Sequence, residues 1–123
     1  MPVVPASQPV VHEMHGATFN SYVSPSRGAQ TLCAWRLDLA AGARGVPHRV
    51  SHEEVLLVLT GWLWVTLDGV PHEAGPGDVV VVPAGSELAV DCGPAASSAW
   101  VTTTAGLEAV TADGARIAPP WAR

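Results

Sequence analysis

Residues 48–55 read HRVSHEEV and gather the side chains best suited to chemistry. Two imidazoles, His48 and His52, are followed by the carboxylates Glu53 and Glu54. Such groups ligate divalent transition metals, and once removed from water they exchange protons near neutral pH. In one continuous strand, positions 48, 52 and 54 share parity, so His48, His52 and Glu54 would point to one face. A turn or bulge between them breaks that parity and swings His52 to the rim or to solvent. The apolar run VLLVL that follows would carry the segment into a buried sheet.

The elements that must position these residues are strands. Twelve glycines and eleven prolines interrupt the chain every few positions, and no segment sustains the apolar spacing of a helix. After a loose start to about residue 10, TLCAWRLDL alternates by two, with Cys33, Trp35, Leu37 and Leu39 on one face and Ala34, Arg36 and Asp38 on the other. AAGARGVP reads as a loop. Then come EEVLLVL, WLWVTL, VPHEA, VVVV, SELAV and AWVTTT, separated by turn chemistry at Thr60-Gly61, Asp68-Gly69, GPGD, Pro83-Ala84-Gly85 and Gly93-Pro94. Short strands at this spacing predict a sandwich or a small barrel. The expected division is an N-terminal segment, 1–30, packing on or swapping with the barrel, a barrel at 31–110, and a tail at 111–123.

Composition narrows the partners. With 123 residues and 48 % apolar content the chain can bury one core. Six arginines against eleven acidic residues leave a formal charge of −5, and no basic stripe is present to hold nucleic acid. No apolar run approaches the roughly 20 residues needed to cross a bilayer, and the Pro-rich start lacks the pattern of a secretory signal, so a soluble cytoplasmic protein is expected. Cys33 and Cys92 are expected to be reduced and packed as small hydrophobes. His12, His15 and His72 read as surface residues, and the turns DG and GPGD carry no phosphate-binding logic. In WLWVTL, Leu63, Val65 and Leu67 point inward while Trp62 and Trp64 point outward. Two outward indoles predict a homodimer interface, the alternative being cover by the chain's own termini.

Taken together these residues resemble the cupins, a family of double-stranded β-helix (jelly-roll) barrels. Gly42, His48, Val50, Glu54 and Gly61 match the spacing of the first cupin motif, with Val50 in place of its second histidine. Gly77, Pro83 and Gly85 match the second, with Leu88 in place of its histidine and Cys92 in place of its asparagine. The tail DGARIAPPWAR is similar to those of small single-domain bacterial cupins. Cupin metals are held by three histidines and a glutamate, so the resemblance carries over only His48 and Glu54. It implies an all-β barrel whose interior, lined by Val50, Val58, Leu63, Val65, Leu88 and Val90, binds a small and largely apolar molecule with His48 and Glu54 as polar anchors and no cofactor. In that interior His48 and Glu54 face one another, either as a hydrogen-bonded buried pair or as an acid/base element. Two alternatives stand beside it. One is a metal-dependent enzyme, dioxygenase- or isomerase-like, holding Fe, Mn, Ni or Zn on His48, His52 and Glu54, and the other is a non-catalytic interaction scaffold.

Overall fold

The computed structural model describes residues 3–123, and among them twelve strands form two six-stranded sheets. In chain order the strands are β1 (Val10–Met14), β2 (Ala17–Val23), β3 (Leu32–Leu39), β4 (His48–Val50), β5 (Glu54–Thr60), β6 (Leu63–Leu67), β7 (Val70–Ala74), β8 (Val79–Val82), β9 (Glu87–Cys92), β10 (Ser97–Thr104), β11 (Ala109–Val110) and β12 (Arg116–Ile117). One sheet has the order β1-β2-β3-β10-β5-β8 and the other β12-β11-β4-β9-β6-β7, with every pairing antiparallel. The two inner faces enclose a core that includes Cys33, Val50, Leu56, Val58, Leu63, Val65 and Val82. Both cysteines are free and buried, and burial pushes the Cys33 thiol up from its ordinary value.

Turn chemistry sets the strand boundaries. Asp68 and Gly69 both adopt positive φ, the conformation of a tight two-residue hairpin, and join β6 to β7. The motif glycines Gly42, Gly61, Gly77 and Gly85 all have φ between 71° and 88°, which a side chain disfavours. Along β3 the inward row of Cys33, Trp35, Leu37 and Leu39 is buried throughout, as the alternation predicts.

Two regions depart from the sequence reading. Residues 10–23, to which the sequence reading assigned no strand, form the β1–β2 hairpin, with β2 pairing β3 from Ala17↔Leu39 to Val23↔Ala34. Of the inward set Ala17, Phe19 and Ser21, only Phe19 is large and apolar, so the period-two signal of β2 is faint. The second departure lies at residues 51–53, which belong to no strand, so β4 ends at Val50 before β5 begins at Glu54. The continuous strand that would have aligned His48, His52 and Glu54 is therefore absent.

The tail crosses back to the first sheet. A 3-10 turn at Pro120–Ala122 is tied down by Ser21 Oγ donating to the Trp121 carbonyl at 2.9 Å and by the Cys33 thiol donating to that of Ala122 at 3.2 Å. Trp121 stacks on Phe19, with ring centroids 3.7 Å apart and planes 11° from parallel.

Candidate functional site

Between the sheets lies a cavity of about 360 Å³, within the range of about 300–1,000 Å³ typical of small-molecule sites. Its wall is overwhelmingly apolar, with Leu56 and Val101 from one sheet facing Val50 and Leu88 from the other. The stacked Phe19–Trp121 pair contributes aromatic surface to the same wall. Exposed His15 and Arg44 mark the end where the cavity meets solvent.

His48 is delivered by the loop 40–47, which is bonded to the end of β9. Gly42 N–H donates to the Gly93 carbonyl, Cys92 N–H donates to the Ala43 carbonyl, and Gly45 N–H donates to Asp91 Oδ1, each at 2.8 Å. β4 then pairs His48 with Leu88. His48 Nδ1 donates to the Val46 carbonyl at 2.9 Å, which leaves Nε2 as the lone-pair nitrogen of the neutral ring. On the opposite sheet Glu54 opens β5, lines the cavity and is only 5 % exposed. Its carboxyl has no hydrogen-bond partner among the described residues, and desolvation raises its pKa from 4.5 to about 7. His48 and Glu54 thus line one cavity without the direct hydrogen bond of a buried pair.

His52 is placed elsewhere. Its Nδ1 lies 2.9 Å from Thr104 Oγ1, and the ring packs beside Gly106 outside the cavity wall. The proposed set of His48, His52 and Glu54 is therefore not assembled, because the break at 51–53 turns His52 away. Val50 and Leu88, at the other two motif positions, are aliphatic and line the cavity. Among the described residues, no group of three or more His, Cys, Asp or Glu side chains could hold a metal ion. The two donors that reach the cavity fall short of the three protein ligands of a catalytic zinc or a two-histidine, one-carboxylate iron face.

Of the expected lining residues, His48, Val50, Glu54, Leu88 and Val90 form the wall, whereas Val58, Leu63 and Val65 are fully buried in packed core. Parity told which sheet face they occupy but not where the interior is filled: Val65 pairs with the wall residue Val90 and is nevertheless sealed in the core. Sequence reasoning missed Phe19, Trp121 and His15 at this site. Their positions depend on the hairpin and on a tail contact spanning 100 residues, as in the Ser21–Trp121 bond, which no local period reveals. Trp35 was legible as inward-facing but not as a wall residue. Glu87 and Asp91 stay off the wall, and His72 is exposed. Trp62 and Trp64 do point outward, at 53 % and 36 % exposure. Each lies over a glycine, Gly75 and Gly93, where an added Cβ would come within 2.7 Å of the indole, and among the described residues both keep that exposure.

Two antiparallel sheets closing over one cavity, with the strand at the first motif opening onto it, define a double-stranded β-helix barrel. Residues 35–93 match the family model described as Cupin domain, and the fold around them is that of a small cupin-superfamily domain. No curated protein matches it. Among solved structures it resembles the polyketide cyclase RemF from Streptomyces resistomycificus, with TM-score 0.76 and 20 % identity over 85 % of this chain and 79 % of that one. An RmlC-like cupin from Shewanella frigidimarina aligns with TM-score 0.73 and 21 % identity over 85 % and 90 % of the two chains. A cupin-superfamily sugar phosphate isomerase from Silicibacter pomeroyi aligns with TM-score 0.73 and 17 % identity over 94 % and 92 %. At these identities the likeness establishes the fold.

Proposed function

We propose that the barrel binds a small, largely apolar molecule against Glu54 and His48. The observation that carries this reading is an apolar cavity of about 360 Å³ into which one buried carboxyl projects without a partner. Burying such a group unpaired is costly, and a ligand that displaces the remaining water while meeting the carboxyl offsets that cost. The wall supports an apolar ligand over a sugar phosphate. Arg44 is the only arginine on it, and that side chain is largely exposed with Asp91 at 4.0 Å, which is poor provision for a phosphate. The fold shared with a polyketide cyclase is consistent with such a ligand.

Proton transfer is a second reading, supported by a Glu54 carboxyl that titrates near neutrality. In it the carboxylate takes a proton from an acidic C–H or O–H of the bound molecule and returns it to another atom of that molecule. We propose no metal-dependent step, because the residues present do not make a cupin ligand set. Elemental analysis of protein purified without chelators or a metal-affinity tag checks this. Near one equivalent of a single metal, lost in both His48→Ala and Glu54→Ala, would replace the present reading with the metal-enzyme one.

For assembly we propose a homodimer and, from the two reduced thiols, a cytoplasmic setting. The glycine-seated tryptophans make a weaker interface than the outer face of β5 and β8. There Val79 and Val81 are 57 % and 55 % exposed, Val55 pairs with Val81 beside half-exposed Leu59, and β8 is a free sheet edge. A second copy covers the apolar face and the unpaired edge together.

The binding reading is tested with tetralin, a bicyclic hydrocarbon, titrated calorimetrically. One equivalent should bind the unaltered protein. Leu88→Trp, which projects an indole into the cavity, should weaken binding at least about tenfold with the barrel still folded. Absence of binding, or equal binding by both proteins, contradicts the proposal.

A further inference from the structure

The surroundings of Glu54 offer its carboxyl no donor. It opens β5 opposite Val82 of β8, and on its other side stands Thr103, one step beyond the Thr102↔Val55 pair of β10. The Thr103 hydroxyl is already spent, donating to the Glu53 carbonyl at 2.7 Å. The other ionisable groups on the wall are His48 of β4, Glu108 with Arg116 at 3.0 Å, and His15 and Arg44 at the mouth, and none pairs with Glu54 among the described residues. Nor is the carboxyl walled in. Among the described residues Trp35 Nε1 is the one partnerless side-chain nitrogen or oxygen sealed from open space, so the Glu54 oxygens, partnerless too, keep contact with such space. Because Glu54 is buried and lines the cavity, that space is the cavity.

We propose that the bound molecule is a phenol, its single O–H donating to the Glu54 carboxyl while its ring lies among the apolar side chains. This inference rests on the reading of the cavity as a binding site and names the ligand class within it. A carboxylate only accepts, so the group that meets it must donate. An ammonium would bring three donors to a wall with one free carboxyl and leave hydrogens unmet in an apolar space, and a ligand carboxylate would set like charge against like. A phenol brings one donor, and an O–H···O⁻ bond is short and strong. An aromatic ring suits a wall on which Phe19 and Trp121 stand stacked.

The test compares three bicyclic probes by calorimetry at about pH 8, where most of the free protein carries an ionised Glu54. They are tetralin, its derivative with one hydroxyl on the aromatic ring, and the methyl ether of that phenol. In Glu54→Leu the ratio of phenol to ether affinity should fall at least about tenfold. The carboxyl itself gives a second readout by carbon-13 NMR in the unaltered protein. A bond from the phenol stabilises the ionised form, so the titration midpoint should lie below that found with the ether, which can accept only from the protonated form. That shift needs no variant, so the test survives a Glu54→Leu protein that fails to fold. An unchanged ratio, or a midpoint that phenol and ether leave alike, overturns the phenol assignment while the binding reading stands. If none of the three compounds binds, the binding reading and this inference fall together.

Discussion

The barrel has a hollow half and a filled half, built by the same strands with the same inward parity. β5 passes Glu54 and Leu56 along the cavity and then sends Val58 into packed core. β9 does the same, with Leu88 and Val90 on the wall and Cys92 in the core beyond. On the side of β6 and β8, Leu63, Val65 and Val82 are also sealed from solvent, Val65 and Val82 although they pair with the wall residues Val90 and Glu54. In the hollow half the loop 40–47, the β1–β2 hairpin and the tail hold the sheets around open space, and there the chain carries an inward carboxyl and an unpaired indole N–H. The difference teaches that the unpaired carboxyl lies where open space remains, whereas a buried hydroxyl in the packed part, that of Ser97, has a partner in the Cys92 thiol 3.0 Å away.

Truncation should separate the halves most strongly. Leu63→Ala removes a side chain packed on all sides and should cost about 4 kcal/mol, whereas Leu88→Ala enlarges an existing cavity and should cost about 2 kcal/mol. Denaturant unfolding of both variants measures this, and equal costs would dissolve the distinction.

A somewhat smaller effect comes from pH. The folded-state pKa of Glu54, about 7, lies above the 4.5 of a free carboxyl. As pH rises the unfolded chain releases this proton first, so stability falls between about pH 4.5 and about pH 7 and then levels off. The full loss from this group is at most about 3 kcal/mol. Glu54→Gln lacks the dependence, so the stability difference between the two proteins should grow across that interval. A difference that is constant from pH 4.5 to 8 would place the carboxyl in water.

The outer faces should respond with little change in fold stability. Val79→Glu with Val81→Glu should turn a dimer into a folded monomer by light scattering, and Trp62→Glu with Trp64→Glu should leave the dimer in place. The reverse pattern would restore the tryptophan face as the interface, and a monomeric unaltered protein would remove the dimer.

Much of the fold was legible because strand period and turn chemistry are local. VPHEA and VVVV coincide with β7 and β8 residue for residue, and the inward row of β3 was read correctly from alternation. The jelly-roll architecture followed from motif glycines whose backbone conformation the structure bears out. The site was legible only in part. His48, Val50, Glu54 and Leu88 reached the wall through the motifs and Val90 through strand parity, but the break that removes His52 lies within three residues that either conformation could accommodate. Phe19 and Trp121 are brought together by pairing across most of the chain, and where packing gives way to a cavity depends on loops and tail together.

The most direct measurement is a pH titration of the Glu54 side-chain carboxyl by carbon-13 NMR, with and without saturating tetralin. The account predicts a midpoint near 7 in the free protein, raised further when the hydrocarbon displaces water from the cavity. A midpoint in the ordinary carboxylate range, or one that saturating tetralin leaves unmoved, would contradict it.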